Sequence, residues 1–560
     1  MFTKSKIWSI ALISLTLTFA FRPALAVVDM RNANYASTWT DMEVPGVGFD
    51  LKIVRTNNSR SLFSGFFGFG WCSDYETSLE VTAEGNMKVR ECGGGLELVY
   101  SPREVNRKDI DATISAIITK VKAQKKIGLT DQFYKTLAKD LLEDDDKRAS
   151  YARQHGIGIS IKEGTKFFAN GKEVENIVFA KGYYTRNLVD GSSQRFNTAG
   201  QLTHLYDKNS NFIKIDYDKM GLIKEVSDNS ARKLTFKFNA SKKVEKITGP
   251  NGLSVDYKYY ENNDDLKQVT NAWKNTFTYQ YDDLHNLTIA QWPDKTFIEI
   301  KYDKNNDWVT SFKDRDQCIE DYRYEFSKND PQNHYWSTVK KTCNKKVTHS
   351  ARYEFWHKQR ADGEYYLQRV LSEVNNDITD ISYHEIFGRP IVIRKNADKT
   401  TFGYFENGLV KTKKTPRAIF SYEYHPIYKK VSKVTISLMD TKGKVTAKKT
   451  SSFMYNGKGN LEAAENSDGQ KVSLTYDGQG RIATIKDQAK KIVKIDYDSR
   501  TGKPSVVSRP GLGTIAVTYK PNGEIGKVES KDGPTVAMQV ANTFNHLLDI
   551  IAPATSEIYL

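Results

Sequence analysis

An aromatic residue returns every 21 or 22 residues through most of this chain, and few folds can carry such a period. Phe196, Tyr217, Phe238, Tyr260, Tyr281 and Tyr302 follow one another at that spacing, and the pattern resumes at Tyr383, Tyr404, Tyr424, Tyr455, Tyr476, Tyr497 and Tyr519. Apolar residues stand two and four positions before most of them: Ile213 and Ile215 before Tyr217, Val472 and Leu474 before Tyr476, Val493 and Ile495 before Tyr497. Alternation at period two marks a strand with one buried face, so each aromatic ends the inward row of a strand. Turn chemistry follows at once. Asp477 and Gly480 stand at the first and fourth positions of a turn in which the carboxylate accepts backbone N–H groups and the glycine tolerates positive φ. One such repeat buries too few side chains to offset the entropy of ordering it, so the repeats must lean on one another as a continuous array.

Tyr-Asp followed by a turn glycine and an aliphatic, as in Tyr476, Asp477, Gly480 and Ile482, resembles the Rhs or YD-repeat family of bacterial secreted proteins. Arg55-Thr56-Asn57-Asn58-Ser59 and Gly65 to Trp71 are similar to the segment that precedes the repeats in that family. The resemblance implies a mainly β fold, in which an array of YD-repeat hairpins forms a curved or partly closed sheet. Members use this scaffold to enclose toxins or to adhere to surfaces, so the resemblance is specific for fold and not for activity. The self-cleaving aspartate motif and variable toxin domain of the toxin carriers are not found in this sequence. Enclosure would therefore need a separately encoded cargo.

Taken in order, residues 1–26 read as a secretory signal peptide: Lys4 and Lys6, an apolar run from Ile7 to Phe21, then Ala24-Leu25-Ala26. Cleavage near Ala26 predicts a secreted, periplasmic or outer-envelope protein, and no later stretch is long and apolar enough to be a transmembrane helix. Residues 27–102 form a β segment with glycine-rich turns. Residues 103–156 break the pattern as a helical insertion, with Ile110, Ile114, Ile117, Ile118 and Val121 on one helix face and Phe133, Leu137 and Leu141 on another. The array occupies 157–302 and 383–530, with irregular, longer-looped repeats at 303–382. Residues 531–560 predict a helical cap, where Pro534 opens a helix striped by Val536, Val540, Phe544, Leu547, Leu548 and Ile551.

The formal charge of +15 falls to +12 when Lys4, Lys6 and Arg22 leave with the signal. Outward lysines such as Lys214, Lys237, Lys301 and Lys494 are the ordinary solvated face of a sheet and discourage edge pairing. An exported chain without a recognised binding motif is not expected to bind nucleic acid. Four cysteines in an oxidising compartment predict disulfides, and the sequence-local pairing is Cys72 with Cys92 and Cys318 with Cys343, although three connectivities exist.

No catalytic, cofactor or metal constellation stands out: there is no nucleophile elbow, no phosphate loop and no zinc motif. The reading is a non-enzymatic scaffold that presents a surface to envelope polysaccharide or to a surface protein; the alternative is a partial shell around separately encoded cargo. The candidate binding residues are Tyr335, Trp336, Trp356, His357 and Arg360, where aromatics and cations cluster in the irregular repeats. The competing explanation makes the same aromatics core residues of irregular strands.

Overall fold

A computed structural model describes residues 26–555 except 84, 92–95, 103–106, 125–129, 158–160, 170–171, 362, 521–522 and 532. The expected signal peptide, apart from Ala26, and Cys92 lie outside the described residues.

The alternation in the sequence becomes one continuous antiparallel sheet running from Ser78–Val81 to Ile525–Lys531, each strand paired with its neighbour in the chain except across the helical insertion. Leu96–Ser101 bridges that insertion by pairing with Lys166–Ala169. At the start of the sheet Ser78 bridges to Gln201, and the Leu79 N–H donates to the Gly200 carbonyl at 2.9 Å. At the far end Ile525–Lys531 pairs with Gly513–Tyr519 and with no other strand among the described residues. The sheet is therefore curved and partly closed.

Each repeat aromatic sits where the ladder slips by one residue, as between Gln280 and Tyr281 or Thr475 and Tyr476. Such a bulge re-aims the chain and adds twist, which curls the sheet. The tyrosine hydroxyls then couple repeat to repeat. Tyr281 donates to the Leu266 carbonyl at 2.9 Å, Tyr302 to Leu287 at 2.9 Å, and Tyr476 to Leu461 at 2.6 Å. Each acceptor is the residue that pairs with the preceding repeat's tyrosine at its bulge, Leu266 with Tyr259, Leu287 with Tyr281, Leu461 with Tyr455. Tyr217, Tyr404, Tyr424, Tyr455, Tyr497 and Tyr519 make the corresponding bond to Leu202, Pro390, Val410, Val431, Ile482 and Pro504.

Tyr260 does not hold the position that its spacing predicts. Tyr259 ends the strand and donates to the Val244 carbonyl at 2.8 Å, while Tyr260 lies in the turn and donates to Tyr279. A period of either 21 or 22 fits both residues, and only the inward row Val255, Tyr257, Tyr259 decides between them. The ladder also runs one rung past Tyr302, since Tyr324 donates to the Val309 carbonyl at 2.7 Å. Phe196 is fully buried in the same row and Phe238 packs beside it, both without a hydroxyl; Tyr383 makes no rung bond among the described residues.

Three helices, α1 (Arg107–Ala123), α2 (Asp131–Glu143) and α3 (Asp145–Gln154), carry a small core of Ile114, Ile117, Val121, Leu137, Leu141 and Ala152. Thr130 caps α2 by accepting the Phe133 N–H, but Phe133 itself is exposed. The last helix, α4 (Gly533–Thr555), lies across strands from Val431–Met439 to Gly513–Tyr519, so it covers more than the final repeat. It buries Val540, Leu547 and Ile550, whereas Leu548 points to solvent despite the predicted stripe. No described helix is long and apolar enough to cross a membrane.

Candidate functional site

Two segments of the chain fill the concave face of the sheet. The N-terminal strands Asn34–Val44 and Leu51–Asn58 and the turns up to Trp71 share one core with array residues from Ile213 to Ala351. Trp39 packs against Phe277, Tyr279 and Trp292 at centroid distances of 5.3, 5.5 and 4.7 Å. Arg55 is fully buried, paired with Asp41, over the Trp71 ring at 4.6 Å and within 3.2 Å of the Tyr279 hydroxyl. Tyr257 also donates to Asp41, at 2.8 Å, and burial drives the Tyr257 phenol well above its ordinary range. Trp71 donates its indole N–H to the Tyr281 hydroxyl at 2.9 Å. Two rungs of the ladder, Tyr259 and Tyr281, thus bond to this plug. The second filler is α4, whose core is separate from that of the plug. Between the two, inward positions such as Ile381, Tyr383, Ile393 and Phe402 are only half-buried.

The edges of the sheet meet as well. The Asn460 side chain donates to Asn209 at 2.8 Å, and Asn211 donates to the Gln479 carbonyl at 3.1 Å. Turns near residue 209 therefore touch turns about 250 residues later, which makes the array a spiral whose second lap stacks on its first. Between those turns lie the 21 strands from Phe212–Tyr217 to Val445–Tyr455. At about 4.8 Å per strand the lap is about 100 Å around and about 32 Å across, before side chains are subtracted. An interior about 20 Å wide is filled by a four-stranded plug in one part and a helix in another. Further along the seam the loop after Val44 wedges between laps, with Arg232 donating to the Val44 and Phe49 carbonyls at 2.9 Å and Gly502 lying against Gly46.

The sheet splits the predicted binding residues between its faces. Tyr335 and His357 point inward and stack at 5.7 Å. Burial, and then the nearby Arg31, lower the affinity of His357 for a proton. Trp336 and Trp356 point outward with His334 between them. His334 stacks on Trp356 at 4.8 Å; Arg369 covers the Trp356 ring and Arg352 the Trp336 ring, each at 4.7 Å. Glu354 accepts from His334 at 2.6 Å and Arg352 at 3.1 Å, and these bonds hold its carboxyl below the usual range although burial pushes it up. The five planar groups form a ribbon on the outer face, with the Trp336 indole N–H donated to Glu325 and Arg369 paired with Asp380. Arg360 is apart from both groups, in the hairpin turn before Glu364. Cys318 and Cys343 form a disulfide beside the ribbon's strands; Cys72 is disulfide-bonded, with its expected partner Cys92 outside the described residues.

Comparison with known families agrees with this architecture. A teneurin YD-shell family model matches residues 175–386, and a domain of unknown function, DUF6531, matches residues 26–97, the plug and the first strands of the sheet. No curated protein sequence matches. Among solved structures, TcdB2-TccC3-Cdc42 is 11% identical, covering 88% of this chain and 29% of that one at a TM-score of 0.38. TcdB2-TccC3-TEV is 11% identical over 94% and 29%, at 0.42. A porin-like protein from Bacteroides uniformis is 11% identical over 38% and 93%, at 0.17. The chain thus spans less than a third of the TcdB2-TccC3 chains, and these superpositions are loose. The YD-shell family match over residues 175–386 and the coupled tyrosine ladder agree with the resemblance of this chain to the Rhs/YD-repeat family.

Proposed function

We propose that this chain is an exported, non-catalytic YD-repeat scaffold that works through its outer surface, binding an envelope polysaccharide or a surface protein at the ribbon formed by Arg352, Trp336, His334, Trp356 and Arg369. The observation that carries the reading is that the chain's own ends occupy the concave face, which leaves little room for a folded passenger. The ribbon offers the guanidinium N–H groups of Arg352 and Arg369 that Glu354 and Asp380 do not take, which suit a hydroxyl- and carboxylate-bearing polymer. A glycan array and an envelope pull-down with the mature protein test it. Binding weakened at least tenfold in Arg352→Ala and Arg369→Ala supports the reading; blank results at high micromolar protein overturn it.

A second reading, a partial shell around a separately encoded cargo, draws on the half-buried inward rows of residues 377–404. Co-expression with the neighbouring open reading frame, followed by recovery of a protease-protected partner, would favour it over the first.

A further inference from the structure

We propose that the seam between the laps binds an oxyanion, a phosphate or sulfate group, held between Lys208 and Lys430. The two lysines come from turns more than 200 residues apart and converge on one acceptor: Lys430 Nζ donates to the Gly459 carbonyl at 2.9 Å and Lys208 Nζ to the same oxygen at 3.4 Å. Neither ammonium has a carboxylate within ion-pair distance among the described residues. The anions nearby bond to other groups, although the charge of Asp190 still favours the Lys430 ammonium. Asp207, on the same turn as Lys208, accepts the N–H groups of Asn209 and Asn211 and the Asn211 side chain; Asp190 accepts the Ser192 N–H and hydroxyl at 2.9 and 2.6 Å. Two cations that share one neutral carbonyl repel each other, and burial followed by the charge of Lys208 brings the Lys430 ammonium down to about 8.

Room for a ligand adjoins them. A cavity of about 320 Å³ opens on the neighbouring turns, lined by Asn209, next in sequence to Lys208, and by Asn456, Lys458 and Asn460 around Gly459; of its acidic members Asp477 is tied to Arg481 and Glu462 is exposed. Lysines act here as point charges toward a compact anion, with the asparagine amides as further donors. An ion bridging Lys208 at the start of the lap and Lys430 near its end would pin the spiral shut. The site is distinct from the ribbon and does not depend on it.

The test compares melting of the full mature chain in 10 mM sodium phosphate with sodium chloride of equal ionic strength at pH 7, alongside calorimetric titration with inorganic phosphate. The expected result is a rise of about 2 °C specific to phosphate, lost in Lys208→Met and Lys430→Met. Lys430→Met alone should also melt higher than the parent in chloride, because the repulsion has gone. If either variant fails to fold, titration of the parent and of Lys458→Met still decides. Purified lipopolysaccharide forms the second arm: capture that free phosphate competes away assigns the anion to a polymer, while phosphate binding without capture assigns a free ion. No heat and no shift with phosphate, or equal binding in both methionine variants, overturns the proposal.

Discussion

Tyr281 is a rung at which the array and its plug share one hydroxyl, as Tyr259 is through Val244 and Phe66, so Tyr281→Phe tests that coupling. The change removes a donor to the Leu266 carbonyl and an acceptor from the Trp71 indole, both at 2.9 Å, in a phenol that burial holds well above its ordinary pKa. Each buried polar group left without a partner costs about 1–3 kcal/mol, so the expected loss is about 3 kcal/mol. Tyr476→Phe removes one bond, to Leu461, far from the plug and in a half-buried place where water replaces the hydroxyl; about 1 kcal/mol is expected there. The difference of about 2 kcal/mol corresponds to about 30-fold faster opening. Because the plug and α4 stabilise separate cores, native-state hydrogen exchange is the suitable assay, reading the strands from Ser254–Tyr259 to Phe297–Tyr302 and Leu51–Asn58. The loosening should reach the amides of Leu51–Asn58 in Tyr281→Phe only. Equal acceleration in the two variants, or an unaffected plug, would refute the coupling; a cycle with Trp71→Phe isolates it.

Three other outcomes follow from the same geometry. Gly502 and Gly511 both have positive φ, +67° and +80°, but a Cβ at Gly502 would lie 2.2 Å from the Gly46 carbonyl oxygen while Gly511 faces open space. Gly511→Ala should cost about 1 kcal/mol in a urea titration, from strain alone, and Gly502→Ala clearly more. Asp41→Asn leaves Arg55 buried without its carboxylate and should cost about 3–5 kcal/mol, shown by early loss of Trp fluorescence from the plug. Burial pushes the turn carboxyls of Asp477 and Asp498 up, but the N–H groups they accept outweigh it and hold both below the ordinary 3.8. A depressed carboxyl contributes stability that is present above its unfolded value and lost as pH falls through the folded one, so the contribution of these two carboxyls should be constant above about pH 5 and decline below about pH 4. Asp477→Asn and Asp498→Asn should each shallow that decline.

What could be read beforehand was whatever recurs. Period-two alternation and turn glycines are local, so strands, turns and the repeat were visible one unit at a time. The choice between Tyr259 and Tyr260 was invisible to spacing and was made by the pairing of Tyr259 with Leu266. Facing was similarly hidden in the irregular strands. Tyr335 and Trp336 are neighbours in sequence and so lie on opposite faces of the sheet, and no composition argument separates them. The cluster of Asp41, Arg55, Tyr257 and Tyr279 joins residues more than 200 positions apart, and of these only Arg55 stands in a recognisable motif.

Two turns show how the array tolerates change without losing its geometry. Where most repeats place Asp or Asn at the head of the turn, His384 and His425 stand instead, and their Nδ1 atoms accept N–H groups from Ile386 and Phe387 and from Ile427 and Tyr428. Asp477 Oδ1 does the same for Gln479 and Arg481. The repeat therefore selects an acceptor at a fixed place, not a particular residue, and an imidazole serves only in the tautomer that leaves Nδ1 bare. The same logic explains the rungs. Phe196 and Phe238 fill their places in the row by size alone, and the tyrosines add a hydroxyl where a bulge has left a carbonyl in need of a donor. Local substitutions of this kind let the repeat signal fade while the spiral, set by bulges and strand count, persists.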